Sequence, residues 1–282
     1  MTTRRRRGFQ ILALMILLLA ALCWIEWAAT QAQTARYQPP EHPLSVSPSP
    51  AAISEGERLA HIDGCLGCHG EHLTGRVVTT DWTGSEIVAP NLTQIAHRET
   101  DQQLAAAIRY GIKPDGTSVI GMPSSQFIRS SDSDIAALIA YLHSLSEKPD
   151  TAGKTQLHFA ERARLAIGLL PLEARSVNIS ERGPVHPSTA PAALGWYVTQ
   201  AHCAGCHGAD LSGETVEGSP DLRVAIQHYS PVSFLHFFQT GEGQIGHGTS
   251  TMTKMIDSRF RYLTPAEILG VYAYLKEPAH PG

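Results

Sequence analysis

Two short strings, Cys65-Leu66-Gly67-Cys68-His69 and Cys203-Ala204-Gly205-Cys206-His207, repeat one pattern of thiol, thiol and imidazole. C-x-x-C-H is the attachment signature of c-type haem. The spacing serves that chemistry. Two thiols three residues apart can add to the two vinyl groups of one porphyrin, and the imidazole next in line lies under the iron and ligates it. The bland alternative is a bare C-x-x-C redox or zinc pair beside a stray histidine. Two copies, each followed by glycine (Gly70, Gly208) and each with a candidate second iron ligand downstream, argue against it.

Met122, in Ile120-Gly121-Met122-Pro123, is the candidate second ligand for the first copy. A thioether there closes the sixth position and raises the potential relative to a second imidazole. The competing role is a core methionine filling a gap. For the second copy Met252, Met255 and His247 all fall in the matching stretch, and the repeat alignment selects Met255. A ligating histidine also needs its other ring nitrogen held, commonly by a backbone carbonyl. Pro90 and Pro220 keep a C=O and could supply it; a simple turn proline is the other reading.

The elements that position these residues are themselves repeated. The motifs lie 138 residues apart, and Gly75, Pro90 and Leu92 find counterparts in Gly213, Pro220 and Leu222. The first copy holds eight more residues before its proline, in a loop containing Trp82. The C-terminal ends align at a shift of 133, pairing Met122 with Met255 and Phe127 with Phe260. Thr100 with Gln103 and Thr264 with Glu267 read as capping boxes, and Ser230-Pro231 as a further helix start. Ile135, Leu138, Ile139, Leu142 and Ile268, Val271, Tyr272, Leu275 each follow i, i+3, i+4, i+7, one apolar helix face. Each unit is expected to be a helix ending in the motif, an irregular loop, a helix, a methionine loop and a closing helix. The class is all-α, with the porphyrin at the centre of each small core.

The 282 residues suggest about two domains, and a net charge of −4 gives a nucleic-acid role no electrostatic support. Of five cysteines, four belong to the motifs and Cys23 lies in an apolar leader, so no disulfide framework remains. Arg4 to Arg7 precede the apolar run. Phe9 to Ala29 is about 31 Å long as a helix, enough for a hydrocarbon core of about 30 Å. Trp24 and Trp27 suit an interface, and the arginines place the N-terminus inside. A cleaved signal peptide, with Thr30-Gln31-Ala32 as the available site, is the rival. The expected organisation is an anchor or signal at 1–30, a flexible tether at 31–53, a first domain at 54–146, a connector at 147–189 and a second domain at 190–278. The apolar run Leu165 to Leu172 in the connector reads as packing between the haem domains, or as docking to a partner subunit or the membrane surface.

With these features the chain resembles class I cytochrome c, twice over, at residues 54–146 and 190–277. The resemblance rests on C-x-x-C-H, Ala89-Pro90-Asn91-Leu92-Thr93, Arg109-Tyr110-Gly111 with Pro114-Asp115-Gly116, and Gly121-Met122-Pro123. It is similar in particular to the membrane-anchored cytochrome c subunits of periplasmic alcohol and sugar dehydrogenases. The resemblance implies two covalent haems c on Cys65 and Cys68 and on Cys203 and Cys206. It implies His69, Met122, His207 and Met255 as iron ligands, with Pro90 and Pro220 supporting the histidines. Those subunits usually have three haem motifs where this chain has two, and Met255-Ile256 stands where Met-Pro is usual. The expected function is electron transfer outside a bacterial inner membrane, with the N-terminus cytoplasmic and the haem domains periplasmic. The donor is a dehydrogenase or quinol-oxidising complex, and the acceptor a cytochrome or terminal oxidase. The rivals are a dihaem redox enzyme, a peroxidase or thiosulfate-type dehydrogenase with one labile-ligand haem, and a haem-based sensor or assembly protein.

Overall fold

Helix starts are written in the caps. The computed structural model describes residues 2–214, 218–243 and 251–277. After α1 (Thr2–Thr34), Ser49 accepts from Ala52 N–H and Pro50 opens α2 (Pro50–Ile62). The motif helix α3 (Cys65–His69) follows, then a hairpin of β1 (Arg76–Thr80) and β2 (Glu86–Ala89). Next come α4 (Leu92–Arg98), α5 (Asp101–Tyr110), α6 (Ser124–Phe127) and α7 (Asp132–Ser144). The connector holds α8 (Phe159–Ala166) and α9 (Glu173–Ser176). The second unit runs through α10 (Pro191–Val198), the motif helix α11 (Ala204–His207), α12 (Leu222–Ala225), α13 (Pro231–Thr240), α14 (Thr251–Ser258) and α15 (Pro265–Lys276). The capping boxes at Thr100 and Thr264 form, and so does one at Ser230 with Ser233.

Each unit is closed by its first and last helices, α2 on α7 and α10 on α15. Glycine makes both crossings possible. A Cβ on Gly56 would lie 1.9 Å from the Ala137 carbonyl oxygen, and one on Gly195 would lie 1.9 Å from that of Gly270. The motif is entered differently in the two units. Gly64, left-handed at φ 73°, turns α2 into α3, whereas a π-turn at Thr199–Cys203 leads into α11.

Three stretches differ from the sequence expectation. The Trp82 loop is a two-stranded antiparallel hairpin with a bulge between Val77 and Thr79. Its β-branched run Val77-Val78-Thr79-Thr80 favours strand, and the Asp81 carboxylate accepts from Thr83 and Ser85 N–H to close the turn. Residues 35–49, expected as part of a flexible tether, lie strapped along the first unit. Tyr37 N–H donates to Gly116 O at 2.8 Å, and His42 lies 3.0 Å from Asp132. The connector's apolar run sits away from the boundary between the units. Leu165, Leu170 and Leu172 pack with Ala29 of α1 and with Ile87 and Ile120 of the first unit. Arg162 locks this contact through Glu26, Thr30 and Gln33.

The two units share one apolar core, in which Leu59, Ile62 and Ile135 join Tyr197, Val198 and Leu211. Polar contacts frame it. Arg58 makes two 2.9 Å bonds to Glu267, His61 stacks on Tyr262 at 4.1 Å, and Asp63 pairs with His202 at 2.9 Å, both side chains buried. Tyr197 Oη accepts from Ser131 N–H at 2.9 Å and donates to Asp134.

Candidate functional site

Around the first motif the chain forms a cavity of about 680 Å³, within the range of cofactor sites. Cys65, Cys68, His69, Pro90 and Met122 all line it, with walls of Ile95, Leu104, Ile108, Phe127, Leu138 and Leu142. His69 is buried, and its Nδ1 donates to the Pro90 carbonyl at 2.8 Å. That bond fixes the tautomer and leaves Nε2 as the nitrogen free to ligate. Burial holds the His69 imidazole below its usual pKa, against the Pro90 carbonyl, so it is kept neutral as a metal ligand must be. Burial pushes the Cys65 thiol up to about 12.

Local sequence explains this frame. Gly70 and Gly75, at φ 84°, fold the chain back so that Gly75 N–H donates to His69 O. A Cβ on Gly75 would lie 2.8 Å from Ala89 O, so only glycine lets the two segments meet beside Pro90. Asn91 then caps α4 through Thr93 and Gln94 N–H. Met122 precedes Pro123 and stays out of helix, as a residue before proline is disposed to do.

The second motif repeats the histidine support. His207 Nδ1 donates to Pro220 O at 2.9 Å, Gly213 N–H donates to His207 O, and Asp221 caps α12. Burial raises the Cys203 thiol to about 12. The methionines part from the expected pattern. Met252 and Met255 lie in α14, not in a loop, both half-buried against the shared core. Met255-Ile256 has no proline to hold the methionine out of helix. His247 lies outside the described residues.

A haem fits the first cavity. Its volume, its apolar walls and a lining that holds the thiol pair, the neutral histidine and Met122 suit an iron porphyrin. Among the described residues no three His, Cys, Asp or Glu side chains converge as a metal site of their own, which a zinc reading of C-x-x-C would need.

Two residues in this region escaped the sequence reading. Arg259 of the second unit and Gln126 of the first both line the first cavity. A Cβ on Gly205, inside the second motif, would meet the Gln126 side chain at 2.6 Å. The clue was the shift of 133, which pairs Gln126 with Arg259 just before Phe127 and Phe260.

Helical units closed by crossed helices around a thiol pair and a carbonyl-held histidine define a haem-binding electron-transfer module. A family model described as cytochrome c matches residues 53–146 and 192–278, and the chain belongs to that family. Such domains carry covalent haem c. The fructose dehydrogenase cytochrome subunit of Gluconobacter japonicus is 27% identical over 272 residues, 86% of this chain. The chain spans 55% of that relative's length.

Proposed function

We propose that the protein is a membrane-anchored dihaem cytochrome c that carries electrons from a dehydrogenase to a downstream cytochrome or oxidase, as an electron-transfer subunit with no substrate chemistry of its own. The observation that carries this reading is the first cavity, where the thiol pair, the Pro90-held His69 and Met122 line one apolar space. Bound there, haem c supplies a one-electron iron couple whose potential the axial ligands and burial set. Cys65 and Cys68 hold it in place. His69 and Met122 would ligate its iron, and the apolar walls would exclude water. In the second unit Cys203, Cys206, His207 and Met255 take the corresponding roles, with Pro220 orienting His207. With a histidine and a methionine on each iron, neither site would leave a position open to substrate. The named role of the Gluconobacter relative favours a dehydrogenase as donor; a quinol-oxidising complex would deliver electrons of the same kind.

The leader is retained in this reading. Arg5 to Thr34 forms a helix apolar and long enough to cross a bilayer. Its outer end is built into the fold, since Ala29 is fully buried and Glu26 pairs with Arg162. Cleavage after Ala32 would uncover Leu165, Leu170 and Leu172. The four arginines place the N-terminus in the cytoplasm and the haem units on the periplasmic side of a bacterial inner membrane.

The test is gentle detergent purification of the full chain from its own membranes, with haem absorbance followed while alcohols, aldehydes, sugars and quinol are supplied. Co-purification of a dehydrogenase whose substrate reduces both haems is expected. A chain that comes alone and is reduced by quinol only would overturn the dehydrogenase assignment.

A further inference from the structure

The two units meet through a pseudo-twofold exchange. Gln126 of the first unit and Arg259 of the second hold equivalent places in the repeat, and each reaches the C-x-x-C-H region of the other unit. Gln126 packs on Gly205, between Cys203 and Cys206. Arg259 packs on Gly64, next to Cys65, where a Cβ would lie 3.0 Å from its Nε. Its Nε donates to Ile62 O at 2.7 Å, and its backbone N–H donates to Met255 O at 2.8 Å. The guanidinium is thus pinned in the wall of the first cavity from one side and tied to α14 from the other. Among the described residues no carboxylate forms an ion pair with it. The carboxylate Asp63 lines the same cavity and also acts on Cys65, and it is paired with His202.

We infer that Arg259 of the second unit sets the reduction potential of the first unit's haem site upward, and that Gln126 is its uncharged counterpart at the second site. The inference rests on the proposed reading of a haem at each motif. A fixed cation at the wall of a low-dielectric site, with the neighbouring carboxylate Asp63 held by His202, favours whichever redox state carries less positive charge, which is the reduced one. The exchange also makes the two sites unequal in a defined sense. Arg259 lines the first cavity itself, whereas at the second motif the amide of Gln126 packs on Gly205 and the charge of Arg259 bears on Cys203.

The test is spectropotentiometric titration of the full-length protein carrying Arg259→Gln or Arg259→Lys, beside wild type, with Met122→His used to mark which wave belongs to the first site. Covalent haem content is measured by mass, and folding by circular dichroism. Arg259→Gln is expected to lower the first site's reduction equilibrium about tenfold, roughly 60 mV for one electron, and to move the second site less. Arg259→Lys, which keeps the charge, is expected to restore most of the difference. Gln126→Lys is expected to raise the second site. An unmoved first wave in a folded, fully loaded Arg259→Gln protein would overturn the inference. So would a lysine variant that falls as far as the glutamine one, since packing and not charge would then be responsible. Absence of covalent haem from either motif in wild type would instead sink the underlying reading.

Discussion

Gly56 and Gly195 show how a single missing methyl group decides a fold. In an exposed helix, alanine would be preferred over glycine by about 1 kcal/mol. Here the added carbon would sit 1.9 Å from a backbone oxygen of the facing helix, so the crossing must open. Gly56→Ala or Gly195→Ala is expected to destabilise by about 1–3 kcal/mol, read as a lower denaturant midpoint, in place of the gain that propensity alone would give. Met255 is the residue to test for ligation. Met255→His is expected to lower the second haem's potential and leave the first nearly unchanged, while Met252→His leaves both ligand spectra intact. The reverse pattern would assign the ligand to Met252. At this scale much was legible: C-x-x-C-H with a following glycine and proline states its own chemistry, and the distances at Pro90 and Pro220 match the support a ligating histidine needs. Arg259 was not legible, because its role depends on a partner surface, Gly64 and Ile62, far away in sequence.

Among the elements, the strap at residues 35–49 and the end of the connector converge on the start of α7. Asp132 accepts from Arg109 Nη1 at 2.6 Å and from Arg182, with His42 at 3.0 Å. Pro184 and Val185 carbonyls accept the N–H groups of Asp132 and Ser133. Burial opposes ionisation of Asp132, but the hydrogen bonds from Arg182, Arg109 and His42 outweigh it and hold the carboxyl below its usual value. A depressed carboxyl contributes stability that is present above its unfolded pKa, about 3.9, and lost as pH falls through the lower folded value. Acid release of the strap and connector is therefore expected only below pH ~4, with amide exchange in residues 36–46 as the readout. Asp132→Asn leaves Arg109 buried without its counter-charge and is expected to cost about 3–5 kcal/mol and to abolish that acid step. Proline-rich composition pointed to a free tether here. Composition reports that a segment builds no core of its own; it does not report that Tyr37, His42 and Leu44 find sites on a neighbour. The hairpin was missed for a related reason: two short strands leave little periodicity to read. The helices α5, α7, α13 and α15 were legible because cap and apolar stripe agreed.

For the whole molecule, the shared core and its polar frame make two homologous units into one body. His202 sits at the centre, enclosed with Asp63, with Tyr197 edge-on at 6.3 Å and Asp134 and Glu267 contributing charge. Burial works against its protonation, yet those carboxylates, Asp63 above all, hold its pKa above the usual value. A raised histidine contributes stability that is complete below its unfolded pKa, about 6.5, and is lost as pH rises through the folded value. The junction is expected to be firmest in mildly acidic solution and to loosen on the alkaline side, seen as an unfolding midpoint that falls as pH rises above about 6.5. His202→Gln should flatten that slope; an unchanged slope would place the alkaline weakness elsewhere.

The exchange of Gln126 and Arg259 also sets an order of manufacture. Arg259 closes over the Gly64–Cys65 corner and Gln126 over Gly205, so in the proposed reading haem must reach each motif before the halves shut. In synthesis the first motif is made long before Arg259 exists to cover it, whereas the second is made with Gln126 already present. Cofactor loading on the second half would thus compete with closure, and a chain that folds too quickly would carry haem on its first half alone.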